Sequence, residues 1–138
     1  KSPKPTAKMP NSPQKQPLME RLALARIWRA FFYSLAGLKT AFKNEAAFRQ
    51  ELLLSVVLIA LAFLMDIGWG QRALLLSSVL IVLVVEILNS AIEAVVDLIT
   101  KEKHPLAKNA KDLGSAAVLL SFVNLAVVWT CVLFSRCL

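Results

Sequence analysis

Three stretches of this chain, about Ala46 to Met65, Arg72 to Thr100 and Leu113 to Phe134, are long and apolar enough to cross a bilayer, since a helix needs about 20 residues to span ~30 Å of hydrocarbon. No segment looks like a strand and no repeat period stands out. With 138 residues, 57% of them hydrophobic, and a mean hydropathy of +0.62, the chain is too apolar for an ordinary soluble domain. The expected class is all-α integral membrane: three transmembrane helices plus an N-terminal amphipathic interfacial helix.

The sixteen basic residues set an orientation: ten precede Leu52, four lie between Lys101 and Lys111, and the others are Arg72 and Arg136. By the positive-inside rule the N-terminal region and the loop after the second span face the cytoplasm, while the Asp66 to Arg72 turn and the C-terminus face outward. Trp69 and Trp129 fit an aromatic belt near the outer surface. Cys131 and Cys137, six residues apart on one helix, point to different faces and are read as unbridged thiols.

Lys1 to Pro17 holds five prolines and four lysines with almost no apolar content, which reads as a disordered basic tail without the apolar region of a signal peptide. Residues 18–138 are then one membrane domain. From Leu18 to Lys43, Leu24, Trp28, Phe31, Leu35, Leu38 and Phe42 recur at helical spacing, and Arg21, Arg26, Arg29, Lys39 and Lys43 supply cations. Such a helix lies in the interface, because those cations are costly in hydrocarbon.

The end of the second span reads EILNSAIEAVVD, Glu86 to Asp97. At ~100° per residue, Glu86, Asn89, Ser90, Glu93 and Asp97 share a wedge about 100° wide. Glu86 and Glu93 are about 10 Å apart along the axis, which suggests separate tasks. Carboxylates at membrane depth usually face protein or a hydrated cavity; the bland alternative is a hydrogen-bonded staple between helices. The strictly apolar parts of the first two spans are short, so Glu51 and Glu86 are expected at similar depth beside a crevice open to the cytoplasm. Ser121 and Asn124 give the third span limited polarity.

The following segment, KEKHPLAKNAKDLGS from Lys101 to Ser115, reads as a loop carrying His104, Lys108, Lys111 and Asp112 below the acidic face. Carboxylates for a divalent metal, a carboxylate for proton abstraction and lysines for polyphosphate are the parts of phosphoryl transfer. Lys101, Lys103 and Lys108 serve equally well as positive-inside charges, and His104 before Pro105 equally well as a cap. Nothing fits a P-loop or the soluble protein-kinase motif set. A proton-linked transporter subunit is a competing reading of intramembrane glutamates, but it would not require Lys111, Asp112 and Glu45 together.

NEAAFRQE at Asn44 to Glu51, VEILNSAIEAVVD at Val85 to Asp97 and AKDLGSAAVL at Ala110 to Leu119 closely resemble the bacterial integral-membrane diacylglycerol kinase family over roughly Ala25 to Phe134. The resemblance implies a homotrimer of the bacterial inner membrane that phosphorylates diacylglycerol with magnesium ATP, with no nucleic-acid partner. It implies Glu86 as general base and Glu45 and Glu93 as metal ligands. Arg26, Tyr33, Glu102, Lys103, His104, Lys111 and Asp112 would meet nucleotide with Glu45 and Glu93, and Asn89 and Asp97 would be supporting polar residues. Lipid contacts would come from Arg26, Ala30, Ser34, Phe48, Gln50, Glu51, Arg72, Glu86, Ser115 and Trp129. The segment from Leu98 to Ala110 departs most from the family pattern. An undecaprenol kinase of the same fold is the alternative; EAAFRQE and the long interfacial helix lean toward diacylglycerol.

Overall fold

The computed structural model describes residues 15–100, 102 and 104–137, with side chains described for 25–100, 102 and 104–135. The element order is α1 (Lys15–Asn44), α2 (Ala46–Leu64), α3 (Trp69–Ile99) and α4 (Pro105–Cys137), with no strand among the described residues. Helices satisfy every interior backbone group within the segment, which hydrocarbon demands. Three of them, Ala46–Leu64, Trp69–Ile99 and Pro105–Ser135, are long and apolar enough to cross a membrane.

The chain divides into two compact units, Lys1–Leu38 and Lys39–Leu138. The first carries the described α1 residues up to Leu38, where Trp28, Phe31 and Phe32 form an exposed aromatic cluster with ring centroids 5.7–6.1 Å apart. The expected tail lies outside the described residues as far as residue 14. Helix α1 starts at Lys15 where the sequence suggested Leu18; Pro17 is tolerated there because a first-turn residue needs no N–H partner.

In the second unit, α3 packs against both α2 and α4. Its buried residues Leu75, Val79, Val82 and Glu86 fall within about 60° of one another around the axis. The same rotation places Asn89, Glu93 and Asp97 within about 50° of that stripe's centre. The polar wedge is therefore the continuation of the apolar packing face. The α2 stripe facing it is Phe48, Glu51, Ser55 and Ala62. At the turn end, Ala62, Leu75 and Val132 form the apolar core, with Trp129 and Val128 packed against it.

Helix ends are closed by side chains arriving from neighbouring turns. Arg72 donates from Nε to Ala62 O (3.0 Å) and from Nη2 to Met65 O (2.9 Å), while its guanidinium lies 4.9 Å from the Trp69 ring centroid. Arg49 Nη1 donates to Phe42 O (3.1 Å) and Lys43 O (3.2 Å). These cations occupy carbonyls that the end of a helix leaves without partners. Met65, expected as the last residue of the first span, is the C-cap of α2. Helix α3 begins at Trp69, before the expected Arg72, with the Gln71 side chain accepting from Gly68 N–H (3.3 Å).

The largest departure is at α4, expected from Leu113 but starting at Pro105. Pro105 pre-sets the first helical turn, and His104 caps it: Nδ1 accepts from Leu106 N–H (3.2 Å), and its carbonyl accepts from Lys108 N–H (3.1 Å). The segment from Pro105 to Ser115, read as loop, is helix. Cys131 is an unbridged, exposed thiol.

Candidate functional site

Glu86 is held on the interior stripe of α3 and is only 5% exposed. Across from it on α2, Glu51 is 8% exposed, and its Oε2 is buried without a protein partner. Glu51 is an electrostatic neighbour of Glu86, and Glu86 in turn of Glu45 and Glu93. Both are interior residues, Glu51 on α2 and Glu86 on α3. Glu45 is the single residue between α1 and α2, in extended conformation as the N-cap of α2, and its side chain makes no capping hydrogen bond.

Two turns further along α3 from Glu86, Glu93 Oε1 accepts from Asn89 Nδ2 (3.2 Å). One turn beyond, Asp97 Oδ1 accepts from Lys111 Nζ (2.6 Å), tying the end of α3 to α4. Lys108 and Asp112 form an exposed i,i+4 pair at 3.6 Å, of the sort worth little in stability. Thr100 Oγ1 accepts from Glu102 N–H (3.1 Å) and shapes the α3–α4 connection.

From Asp97 onward these groups border an open cleft of about 980 Å³ whose polar lining includes Asp97, Thr100, Glu102, His104, Lys111 and Asp112. The arrangement is directional: a buried carboxylate at one end, a second carboxylate with an amide partner in the middle, and a cleft of mixed charge at the mouth. A polyanion in the cleft would meet Lys111 and the positive end of the α4 dipole.

A family model described as prokaryotic diacylglycerol kinase matches residues 32–133. The chain belongs to that family. A diacylglycerol kinase of Pseudomonas aeruginosa is 52% identical over 117 residues, covering 85% of this chain and 95% of that protein. The Escherichia coli K12 diacylglycerol kinase is 49% identical over 111 residues, 80% of this chain and 91% of its own. One from Helicobacter pylori J99 is 40% identical over 104 residues, 75% and 81% respectively.

Against this family background the expected site residues separate into groups. Glu45, Glu51, Glu86, Asn89, Glu93, Asp97 and Lys111 are joined by the contacts and electrostatic proximity described above. Glu102, His104, Lys111 and Asp112 line the cleft, and Lys103 lies outside the described residues. His104 already serves as a helix cap, the bland reading of its place before Pro105. Phe48 is buried on the α2 stripe, whereas Gln50 and Ser115 are exposed.

Arg26, Ala30, Tyr33 and Ser34 belong to the N-terminal unit; Ser34 Oγ donates to Ala30 O within α1 (3.0 Å). Arg72 and Trp129 lie at the other end of the bundle from the cleft. Arg72 is about 21 Å from Glu86 along α3 at ~1.5 Å per residue, its guanidinium engaged on the α2 carbonyls. A lipid contact there would be remote from the carboxylates. Sequence reading missed Thr100 and the pairing of Lys111 with Asp97; the i,i+4 spacing of Glu93 and Asp97 was visible, but their partners were not.

Proposed function

We propose that this chain transfers the γ-phosphoryl group of ATP to the free hydroxyl of diacylglycerol, giving phosphatidic acid and ADP. The observation that carries this reading is the continuous α3 face from buried Glu86 through Glu93 to the Asp97–Lys111 pair at a cleft. It offers a base at membrane depth and polyphosphate partners at the mouth.

In this reading Glu86 accepts the proton of the acceptor hydroxyl as that oxygen bonds to the γ-phosphorus and the bond to the bridging oxygen breaks. A carboxylate in a poorly hydrated crevice is well suited to that task. Lys111, held by Asp97, has further N–H donors for the phosphates and offsets their charge. Because the protein forms no covalent bond in such a transfer, positioning and electrostatics supply the catalysis.

Glu45 and Glu93 would hold magnesium. Among the described residues no group of three or more His, Cys, Asp or Glu is placed to hold a metal ion, and a magnesium nucleotide does not need one. Magnesium is usually held by one or two carboxylates plus substrate phosphates and water. The donor set fits, since the Glu45 carboxylate makes no cap bond and Glu93 has a second oxygen beyond the one facing Asn89. When bound, the ion would neutralise phosphate charge beside the acceptor.

Incubation with γ-labelled ATP and each lipid at matched mole fraction in one detergent tests the reaction and the acceptor together. Diacylglycerol is expected to exceed undecaprenol by at least ~10-fold in kcat/KM, about 1.4 kcal/mol of transition-state discrimination. The Gln50 amide and the Ser115 hydroxyl can donate hydrogen bonds to ester groups that a polyisoprenol does not have. Equal or reversed preference would reject the acceptor; no labelled lipid at all would reject the kinase.

The location proposed is the bacterial inner membrane, with the N-terminus and the cleft cytoplasmic and the C-terminus periplasmic, on the strength of the basic residues before Leu52. In a background without Cys131 and Cys137, a cysteine replacing Asn109 should react from the cytoplasmic side and one replacing Gly70 from the outside. Reversed labelling would put the cleft away from cellular ATP. A homotrimer is also proposed: side chains such as Leu53, Leu80 and Leu120 stay exposed on a single chain, a surface available to lipid or to further copies. Sedimentation in density-matched detergent returning one chain per particle would contradict it.

A further inference from the structure

Where α3 and α4 meet beside the acidic face, Gly114 and Asn89 compete for one volume. Gly114 is buried, and a Cβ placed on it would overlap Asn89 Oδ1 and crowd its Cγ at 3.3 Å. At Gly37, Gly68 and Gly70 a Cβ would meet nothing within 4 Å. The close approach is therefore a property of this one crossing.

Asn89 is constrained on both sides of its amide. Oδ1 is buried against Gly114 without a protein hydrogen-bond partner, while Nδ2 donates to Glu93 Oε1 at 3.2 Å. Any group that pushes Oδ1 away from α4 must turn or shift the amide plane, and the Nδ2 contact turns with it. The packing that buries Oδ1 limits the other rotamers open to the amide.

We propose that Gly114 is a positioning residue for the metal-binding carboxylate: its missing side chain lets α4 seat the Asn89 amide, and Asn89 aims Glu93 toward the divalent cation carried with ATP. The proposal rests on Glu93 being a metal ligand. Groups that orient a ligand from behind commonly change metal affinity by about 10- to 100-fold when removed. Gly114 acts one step further out, through Asn89. Lys111 sits one turn before Gly114 on α4, so the same seating also supports the Lys111–Asp97 pair at 2.6 Å.

The test is equilibrium Mn²⁺ binding, read by the electron paramagnetic resonance of free Mn²⁺, to the assembled protein in detergent with a non-hydrolysable ATP analogue. Gly114→Ala and Asn89→Ala should each raise the Mn²⁺ midpoint about tenfold. The double variant should match Asn89→Ala within about twofold, because the added methyl then meets no amide. Thermal melts of the same samples separate packing from positioning. If Gly114→Ala lowers the melting temperature but leaves the Mn²⁺ midpoint in place, or if the double variant shows the product of the two single effects, the proposal is overturned.

Should Gly114→Ala fail to assemble, the double variant still decides: assembly with the Asn89→Ala midpoint supports the proposal, and failure to assemble shows that Gly114 is required by something other than Asn89 and overturns it. Glu93→Gln distinguishes the underlying reading. A shifted midpoint in Glu93→Gln with an unshifted one in Gly114→Ala defeats the positioning role alone; an unshifted Glu93→Gln defeats the metal assignment and the proposal together.

Discussion

Glu86→Gln should lower turnover by at least ~100-fold, the scale of lost general-base catalysis, while leaving the folded, nucleotide-binding protein intact. The amide keeps the shape of a side chain that is 5% exposed on the interior stripe of α3, and removes only the charge and the proton acceptor. Its neighbours sharpen the expectation. Glu45 and Glu93 are acidic electrostatic neighbours of Glu86, so a neutral residue relieves like-charge crowding at low dielectric. The melting temperature should not fall. Lost turnover with retained ATP-analogue binding is the expected pair of measurements; near-parental turnover in correctly assembled protein would remove Glu86 from the mechanism.

Glu45→Gln and Glu93→Gln should each raise the magnesium concentration needed for half-maximal turnover by ~10-fold or more, the lower end of what an altered metal environment costs. High magnesium should restore part of the rate. Hard divalent cations favour charged oxygen ligands, and in both cases the substitution isolates that charge. With glutamine in place of Glu93, the side chain retains an oxygen able to accept from Asn89 Nδ2, the partner of Glu93 Oε1. Glu45 contributes no side-chain hydrogen bond as the cap of α2, so its helix start is preserved as well. Parental magnesium titrations in both variants would show that the two carboxylates hold no metal.

The features legible in the sequence are those that depend on neighbours along the chain. Continuous apolar length was enough to mark three spans, because the bilayer thickness sets one requirement on any helix. Rotation at ~100° per residue was enough to group Glu86, Asn89, Glu93 and Asp97 on one face. The start of α4 was misjudged by eight residues, since a charged, Pro-containing stretch reads as loop. His104 and Pro105 together formed the cap and first turn that reversed that reading.

Partners far apart in sequence were set by helix packing alone. Lys111 could serve any nearby carboxylate or phosphate until α3 and α4 crossed where Asp97 stands 14 residues away. Arg72 carried the label of a loop cation or lipid contact, and the fold engages it on the carbonyl end of α2, where a donor satisfies groups that hydrocarbon cannot. Gly114 stands beside the expected start of the third span at Leu113, and tertiary structure makes it the point where a backbone approaches the Asn89 amide. Helical periodicity depends on local backbone geometry and so is written into the order of residues; the distance between two helices depends on every side chain between them, and only the packed structure supplies it.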